Sequence, residues 1–181
     1  MLIDIIAGAR PNFMKIAPIL RALEARAVAG GPLRYRLVHT GQHYDARLSG
    51  AFFEQLGIPA PDINLEVGSG TQAEQTAAIM VGYERLLLDA PSRLCLVVGC
   101  AIAAQKLGIP VAHVEGGIRS DDWSMPEEIN RMVTDSITNW FFTTSDFANA
   151  NLRRAGVAEE RIFFVGNTMI DTLLANLDRL R

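Results

Sequence analysis

Hydrophobic positions along the chain fall into two alternating kinds of run. Short, nearly unbroken apolar and β-branched stretches occupy Leu2–Ala7, Tyr35–His39, Leu94–Val98, Val111–Val114, Trp140–Thr143 and Ile162–Val165. A strand covered on both faces reads this way, because neither face meets water. Between them, apolar residues recur at helical spacing over Pro11–Ala29, Ala46–Leu56, Thr71–Leu88, Ala101–Leu107, Pro126–Thr138 and Asp146–Ala155. Strand and helix alternate, and no hairpin signal interrupts them. The pattern predicts an α/β fold with a doubly wound, Rossmann-like parallel sheet of six strands.

The punctuation agrees. Pro11 and Pro126 suit the first turn of a helix, where a missing N–H costs nothing. Gly57, Gly108 and Gly156 follow helical runs, where a left-handed residue ends the helix. Two places depart from the pattern. The crossover from the strand ending at Val98 has only Gly99 to Pro110, at the lower limit for a parallel connection. A helical run, Thr168–Arg181, follows the last strand directly, where a doubly wound domain would pass a linking helix to something further. The expected organisation is one domain over 1–167, with 168–181 as the start of that helix.

Composition narrows the class. With 49% hydrophobic and 20% charged residues over 181 positions, the chain can bury a sizeable core. The net charge is −3 and no like-charge run exceeds two, so no basic face points to nucleic acid. No apolar run is long enough to cross a bilayer, and MLIDIIAGARP lacks a basic leader and a small-residue cleavage site. A soluble, cytoplasmic protein is the expectation. Cys95 and Cys100 have no second pair nearby, so they read as two ordinary buried thiols and not as a disulfide or zinc site.

In a doubly wound sheet ligands bind beyond the carboxyl ends of the strands, so the loops there carry the candidate chemistry. After the first strand comes Gly8-Ala9-Arg10-Pro11-Asn12-Phe13-Met14-Lys15. Arg10 and Lys15 flank a helix start whose N–H groups favour an anion; arginine can grip a phosphate with two hydrogen bonds and lysine adds a point charge. After the second comes Thr40-Gly41-Gln42-His43-Tyr44-Asp45, in which His43 is a proton carrier or a structural hydrogen-bonder. The fourth strand is followed by Glu115, then Gly116 and Gly117, which would let a ligand approach the backbone. Glu127 and Arg131, four apart, share one helix face. Carboxylates converging on a cleft suit proton removal and return; alternatively Glu127 only favours the helix dipole and pairs with Arg131. Asn167 is a candidate helix cap.

Taken together, GARPNFMKIAPI, TGQHYD, PVAHVEGGIRSDDWSMPEEINR and RIFFVGNTMIDTLL resemble the N-terminal half of the non-hydrolysing UDP-N-acetylglucosamine 2-epimerases, in family order and over essentially the whole chain. The resemblance implies a glycosyltransferase-B architecture: two doubly wound domains, a cleft active site between them, and a homodimer of the full-length protein. It implies interconversion of UDP-GlcNAc and UDP-ManNAc, by removal of the C2 proton and expulsion of UDP to give 2-acetamidoglucal, then re-addition with C2 inverted. No metal and no organic cofactor is implied. Matched by position, Glu115 and Glu127 fall on catalytic carboxylates, Arg10 and Lys15 on the basic pair near the substrate, and Arg131 on the arginine one turn after Glu127. Gln42 and His43 fall on the family's Gln-His pair, with Gln42 near a regulatory second UDP-GlcNAc.

The match has a gap. The family carries Gly-Asp and a Thr/Ser-rich stretch after the third strand, and that aspartate is a catalytic candidate. Here Gly99 runs directly into Cys100-Ala101-Ile102, so about seven family residues are missing where the crossover is already short. A disordered loop left out of the sequence is the preferred account, a true deletion the second. The alternatives to the epimerase reading are a hydrolysing relative that releases ManNAc, and a non-catalytic sugar-nucleotide-binding module. On either enzymatic reading this half alone is expected to be inactive.

Overall fold

The computed structural model describes residues 1–8, 10–41, 53–97 and 100–177. The strands are β1 (Leu2–Ala7), β2 (Arg34–His39), β3 (Ile63–Asn64), β4 (Leu94–Val97), β5 (Val111–Val114), β6 (Trp140–Thr143) and β7 (Ile162–Phe164). The helices are α1 (Arg10–Val28), α2 (Gln72–Asp89), α3 (Ala101–Lys106), α4 (Pro126–Ser136), α5 (Asp146–Arg154) and α6 (Thr168–Asn176), with a 3₁₀ turn at Glu159–Arg161. All seven strands join one parallel sheet in the order β3-β2-β1-β4-β5-β6-β7. The strand order reverses between β1 and β4.

Alternate residues of each central strand feed opposite cores. Ile6, Val38, Cys95 and Val111 pack with Tyr83 and Leu87 of α2 and Ala104 of α3. Ile5, Leu37, Leu96 and Ala112 pack with Phe13, Ile16 and Leu20 of α1. This two-sided burial is why the strands read as unbroken apolar runs.

Six strands were expected and seven are present. β3 is only two residues long and pairs at the edge with Val38 and His39 of β2, so it leaves no apolar run to read. At the other edge β7 departs from the two-sided rule. Phe163, Phe164 and Val165 are exposed at this edge of the sheet. The crossover that looked too short is made: α3 has six residues and β5 still lies parallel to β4, with Cys95 opposite Val111. The predicted helix over Ala46–Leu56 falls largely outside the described residues; 53–56 are helical.

Helix ends follow local chemistry. Thr71 and Glu74 cap α2 reciprocally, side chain to backbone in both directions. Ser145 caps α5 and Asn167 caps α6. Gly57, Gly108 and Gly156 are left-handed, as expected of residues that end helices. Inside α1, Pro18 has no N–H to give the Met14 carbonyl. The hydroxyl of Thr172 in α6 supplies the missing donor, at 2.6 Å. The proline that breaks one helix's ladder thus marks where the last helix docks.

Both cysteines are buried and free, and burial pushes the Cys95 thiol up to about 12. No described helix is long and apolar enough to cross a membrane.

Candidate functional site

Two of the candidate residues, Lys15 and Glu115, meet at the carboxyl rim of the sheet, over the point where the strand order reverses. Lys15 comes from the second turn of α1, which follows β1; Glu115 comes directly after β5. β4 lies between those two strands. The Lys15 Nζ nevertheless meets the Glu115 Oε2 at 2.6 Å, with side chains 18% and 11% exposed. Two residues predicted separately, one as an anion grip and one as a proton-transfer group, form one ion pair across the switch point. Lys15 is therefore not an unengaged cation waiting for phosphate. α1 has no acidic residue in its first turn, so its N-terminal N–H groups remain the other positive feature of this rim. Arg10 opens that helix.

Glu115 sits in the left-handed region, with φ 65°. For a side chain with a Cβ this costs on the order of 1–3 kcal/mol and persists only where neighbours impose it. Its own N–H donates to the Phe142 carbonyl of β6 at 2.8 Å. The two glycines that follow do not leave room for a ligand where their side chains would be. A Cβ on Gly116 would meet Phe141 at 2.8 Å, and one on Gly117, at φ 81°, would overlap the Ala148 carbonyl of α5. What these glycines admit is β6 and α5.

Below Glu115 lies a buried polar network that sequence reasoning missed. Asp135 accepts from the Gly117 N–H at 3.1 Å and from Arg119 Nη1 at 2.6 Å, and its other oxygen lies 2.7 Å from His113 Nδ1. Burial alone would raise the Asp135 pKa, but hydrogen bonds from His113 and Arg119 outweigh it and hold the carboxyl below its ordinary value. Asn151 Nδ2 closes the network on the Gly117 carbonyl at 2.9 Å.

The expected pairing on α4 is also corrected. Arg131 Nη1 meets Glu128 Oε2 at 2.8 Å, three residues back, and not Glu127. Glu128 is 1% exposed, while Glu127 stands exposed in the first turn of the helix. Both spacings put a carboxylate beside Arg131, so sequence could not choose. The tertiary fold turns Glu128 inward, where it accepts from the Ser120 and Asp121 N–H groups at 3.1 and 3.2 Å. Desolvation opposes ionisation, yet these hydrogen bonds and the Arg131 guanidinium lower the Glu128 carboxyl to about 2. Glu127 is left facing solvent. Gln42 and His43 lie outside the described residues. Among the described residues, no group of three or more His, Cys, Asp or Glu side chains could hold a metal ion.

A family profile described as UDP-N-acetylglucosamine 2-epimerase matches residues 26–181. The chain belongs to the UDP-N-acetylglucosamine 2-epimerase family. It is 43% identical to the UDP-N-acetylglucosamine 2-epimerase of Methanocaldococcus jannaschii, covering 98% of this chain and 49% of the relative. It is 39% identical to the UDP-2,3-diacetamido-2,3-dideoxy-D-glucuronate 2-epimerase of Pseudomonas aeruginosa, covering 93% of this chain and 49% of that one. The crystal structure of the M. jannaschii enzyme in complex with UDP-GlcNAc and UDP superposes with a TM-score of 0.92 at 42% identity, over 99% of this chain and 50% of that chain. The Neisseria meningitidis enzyme bound to UDP-GlcNAc gives 0.90 at 26% identity, over 99% and 50%. The fold is thus the Rossmann-like unit of the family's glycosyltransferase-B architecture, and the chain spans about half the length of the relatives it matches. The M. jannaschii alignment runs over 184 positions for a chain of 181, so the relative carries residues that this chain lacks.

Proposed function

We propose that this chain is the N-terminal half of a non-hydrolysing UDP-N-acetylglucosamine 2-epimerase, supplying the groups that move the C2 proton and one wall of the diphosphate site. The observation that carries the reading is the Lys15–Glu115 pair, which spans the switch point of a family fold whose solved members bind UDP-GlcNAc at 0.90 and 0.92 TM-score. The C2 proton lies beside no carbonyl and is weakly acidic. Its removal needs a positioned carboxylate and strong stabilisation of the leaving diphosphate.

Glu115 and Glu127 are the carboxylates of this chemistry. One takes the C2 proton as the C1–O bond to UDP breaks, leaving 2-acetamidoglucal; the other returns a proton to the opposite face as UDP adds back to C1. Lys15 stands between two anions. When the diphosphate arrives it shares the ammonium with Glu115, so charge leaving the sugar is met where the carboxylate is released to act. In the same proposal Arg10 and the α1 N-terminus serve the diphosphate, and Arg131, Gln42 and His43 bind the substrate. The opposing wall, the UDP-ManNAc product and a homodimer of the full-length protein belong to the same proposal, with 168–181 leading into the second domain.

A proton NMR time course in D2O, with UDP-GlcNAc and this chain joined to the second half of the M. jannaschii relative, tests it. Deuterium should enter C2 and UDP-ManNAc should accumulate. Free ManNAc and UDP would instead indicate a hydrolysing enzyme, and binding without exchange at C2 a non-catalytic module.

A further inference from the structure

The connection from β5 to α4 contains two non-glycine residues in the left-handed region, Glu115 at φ 65° and Asp121 at 58°. The Asp121 N–H donates directly to a buried carboxylate, and a second one holds Gly117, two residues after Glu115; both carboxylates belong to α4. Asp135 takes the Gly117 N–H and Arg119; Glu128 takes the Ser120 and Asp121 N–H groups. Glu128 and Asp135 are seven residues apart, two helical turns, and so share one face. They are 1% and 7% exposed. A carboxylate is buried only where hydrogen bonds and charge compensate for lost water. Here most of those bonds go to a single segment, 117–121, with Arg131 and His113 completing them.

We propose that this face of α4 is the template of the β5–α4 segment, with Glu128 and Asp135 as positioning residues that hold Glu115 against Lys15. Left-handed backbone relaxes unless its surroundings over-determine it, and these two carboxylates fix the segment at Gly117 and at Ser120–Asp121. The same helix also carries Glu127 in its first turn. The roles of Glu115 and Glu127 rest on the proposed function. The positioning concerns a contact made without ligand and can fail separately.

Zero-length cross-linking reads that contact. A water-soluble carbodiimide activates the Glu115 carboxylate; the Lys15 amine attacks, a urea leaves, and an amide joins the two peptides with net loss of one water. The wild-type chain should yield the Lys15–Glu115 link, mapped by peptide mass spectrometry. Glu128→Gln and Asp135→Asn, compared at equal folded fraction by circular dichroism, should lower its yield about tenfold, the population change expected when a hydrogen bond to a charged group is lost. Glu159→Gln, which breaks a surface pair with Arg153, should leave it unchanged. Folded variants with wild-type yield, or no link in the wild type, would overturn the proposal. Amide exchange on the wild-type chain needs no variant: the Gly117, Ser120 and Asp121 N–H groups should exchange as slowly as those of β5. Free-loop rates there would equally overturn it.

Discussion

Asp4 and Glu115 are both paired carboxylates on neighbouring parts of one sheet, and they are built for different ends. Asp4 lies within β1, wholly buried, opposite Arg36 of β2 in register. Arg36 grips it with Nε and Nη2, both at 2.8 Å, and the Tyr83 hydroxyl donates at 2.9 Å from α2. Nothing about it is strained or open. Glu115 lies just past the end of β5 in left-handed backbone, partly exposed, with Lys15 as its ion-pair partner. The first carboxylate ties β1, β2 and α2 together. The second makes its pair at the open rim, with both side chains partly exposed. Depth in the sheet separates the two: regular strand below, and above it a rim where the backbone departs from strand geometry.

The comparison breaks most visibly at Asp4. Asp4→Asn leaves the Arg36 guanidinium uncompensated, and breaking a buried pair this way costs about 3–5 kcal/mol. Thermal or urea unfolding should show it. A loss as small as that of a surface pair would mean the network is not structural. The matching change at the rim should act on chemistry instead. In a protein containing both halves, Glu115→Gln and Glu127→Gln should each lower kcat by about 100-fold or more with modest change in KM, while the melting temperature stays near wild type. Near-wild-type turnover would return either residue to a capping or ion-pair role.

The pH dependence sharpens the contrast within α4. Glu128 titrates at about 2 in the folded protein against an ordinary value of 4.5. A depressed folded pKa contributes stability that is fully present above 4.5 and is lost as pH falls towards 2. Glu128→Gln should therefore flatten the acid limb of the stability profile between those values. An unchanged limb would show that the Ser120 and Arg131 contacts do not hold the carboxylate ionised. The smallest effect belongs to α6: Thr172→Val leaves the Met14 carbonyl without its donor and should cost about 1 kcal/mol.

Most of the sheet is legible because burial on both faces writes itself as continuous apolar runs, and helix ends because Pro126, Gly57, Gly108, Gly156 and Asn167 act locally, while the Thr71 and Ser145 caps emerge only in the structure. β3 is not legible, since two edge residues carry no period. The exposure of Phe163 and Phe164 was hidden for the opposite reason: an edge strand can be as apolar as a central one. At the site, Glu115 and Lys15 could be marked as candidates from their places at strand and helix ends, but their pairing across β4 is a tertiary fact. Glu128 and Asp135 were overlooked because a carboxylate facing inward is indistinguishable by residue type from one facing out. Their spacing of seven, below a loop rich in glycine and polar residues, was the signal available.

The central claim is that a sugar nucleotide meets this chain at the Lys15–Glu115 rim, and that the rim alone does not complete the reaction. A proton–nitrogen NMR titration of the isolated chain with UDP-GlcNAc tests both parts in one sample. The account predicts shifts at Gly8, Lys15 and Glu115–Gly117, with smaller ones at Glu127 and Arg131. It predicts weak, millimolar saturation, since without an opposing wall water screens each charge interaction, and no UDP-ManNAc after long incubation. Shifts confined to the Asp4–Arg36 region, or no shifts at millimolar ligand, would contradict the site. UDP-ManNAc appearing at ordinary enzymatic rates, about 1–10³ s⁻¹, would contradict the division of the chemistry between two halves.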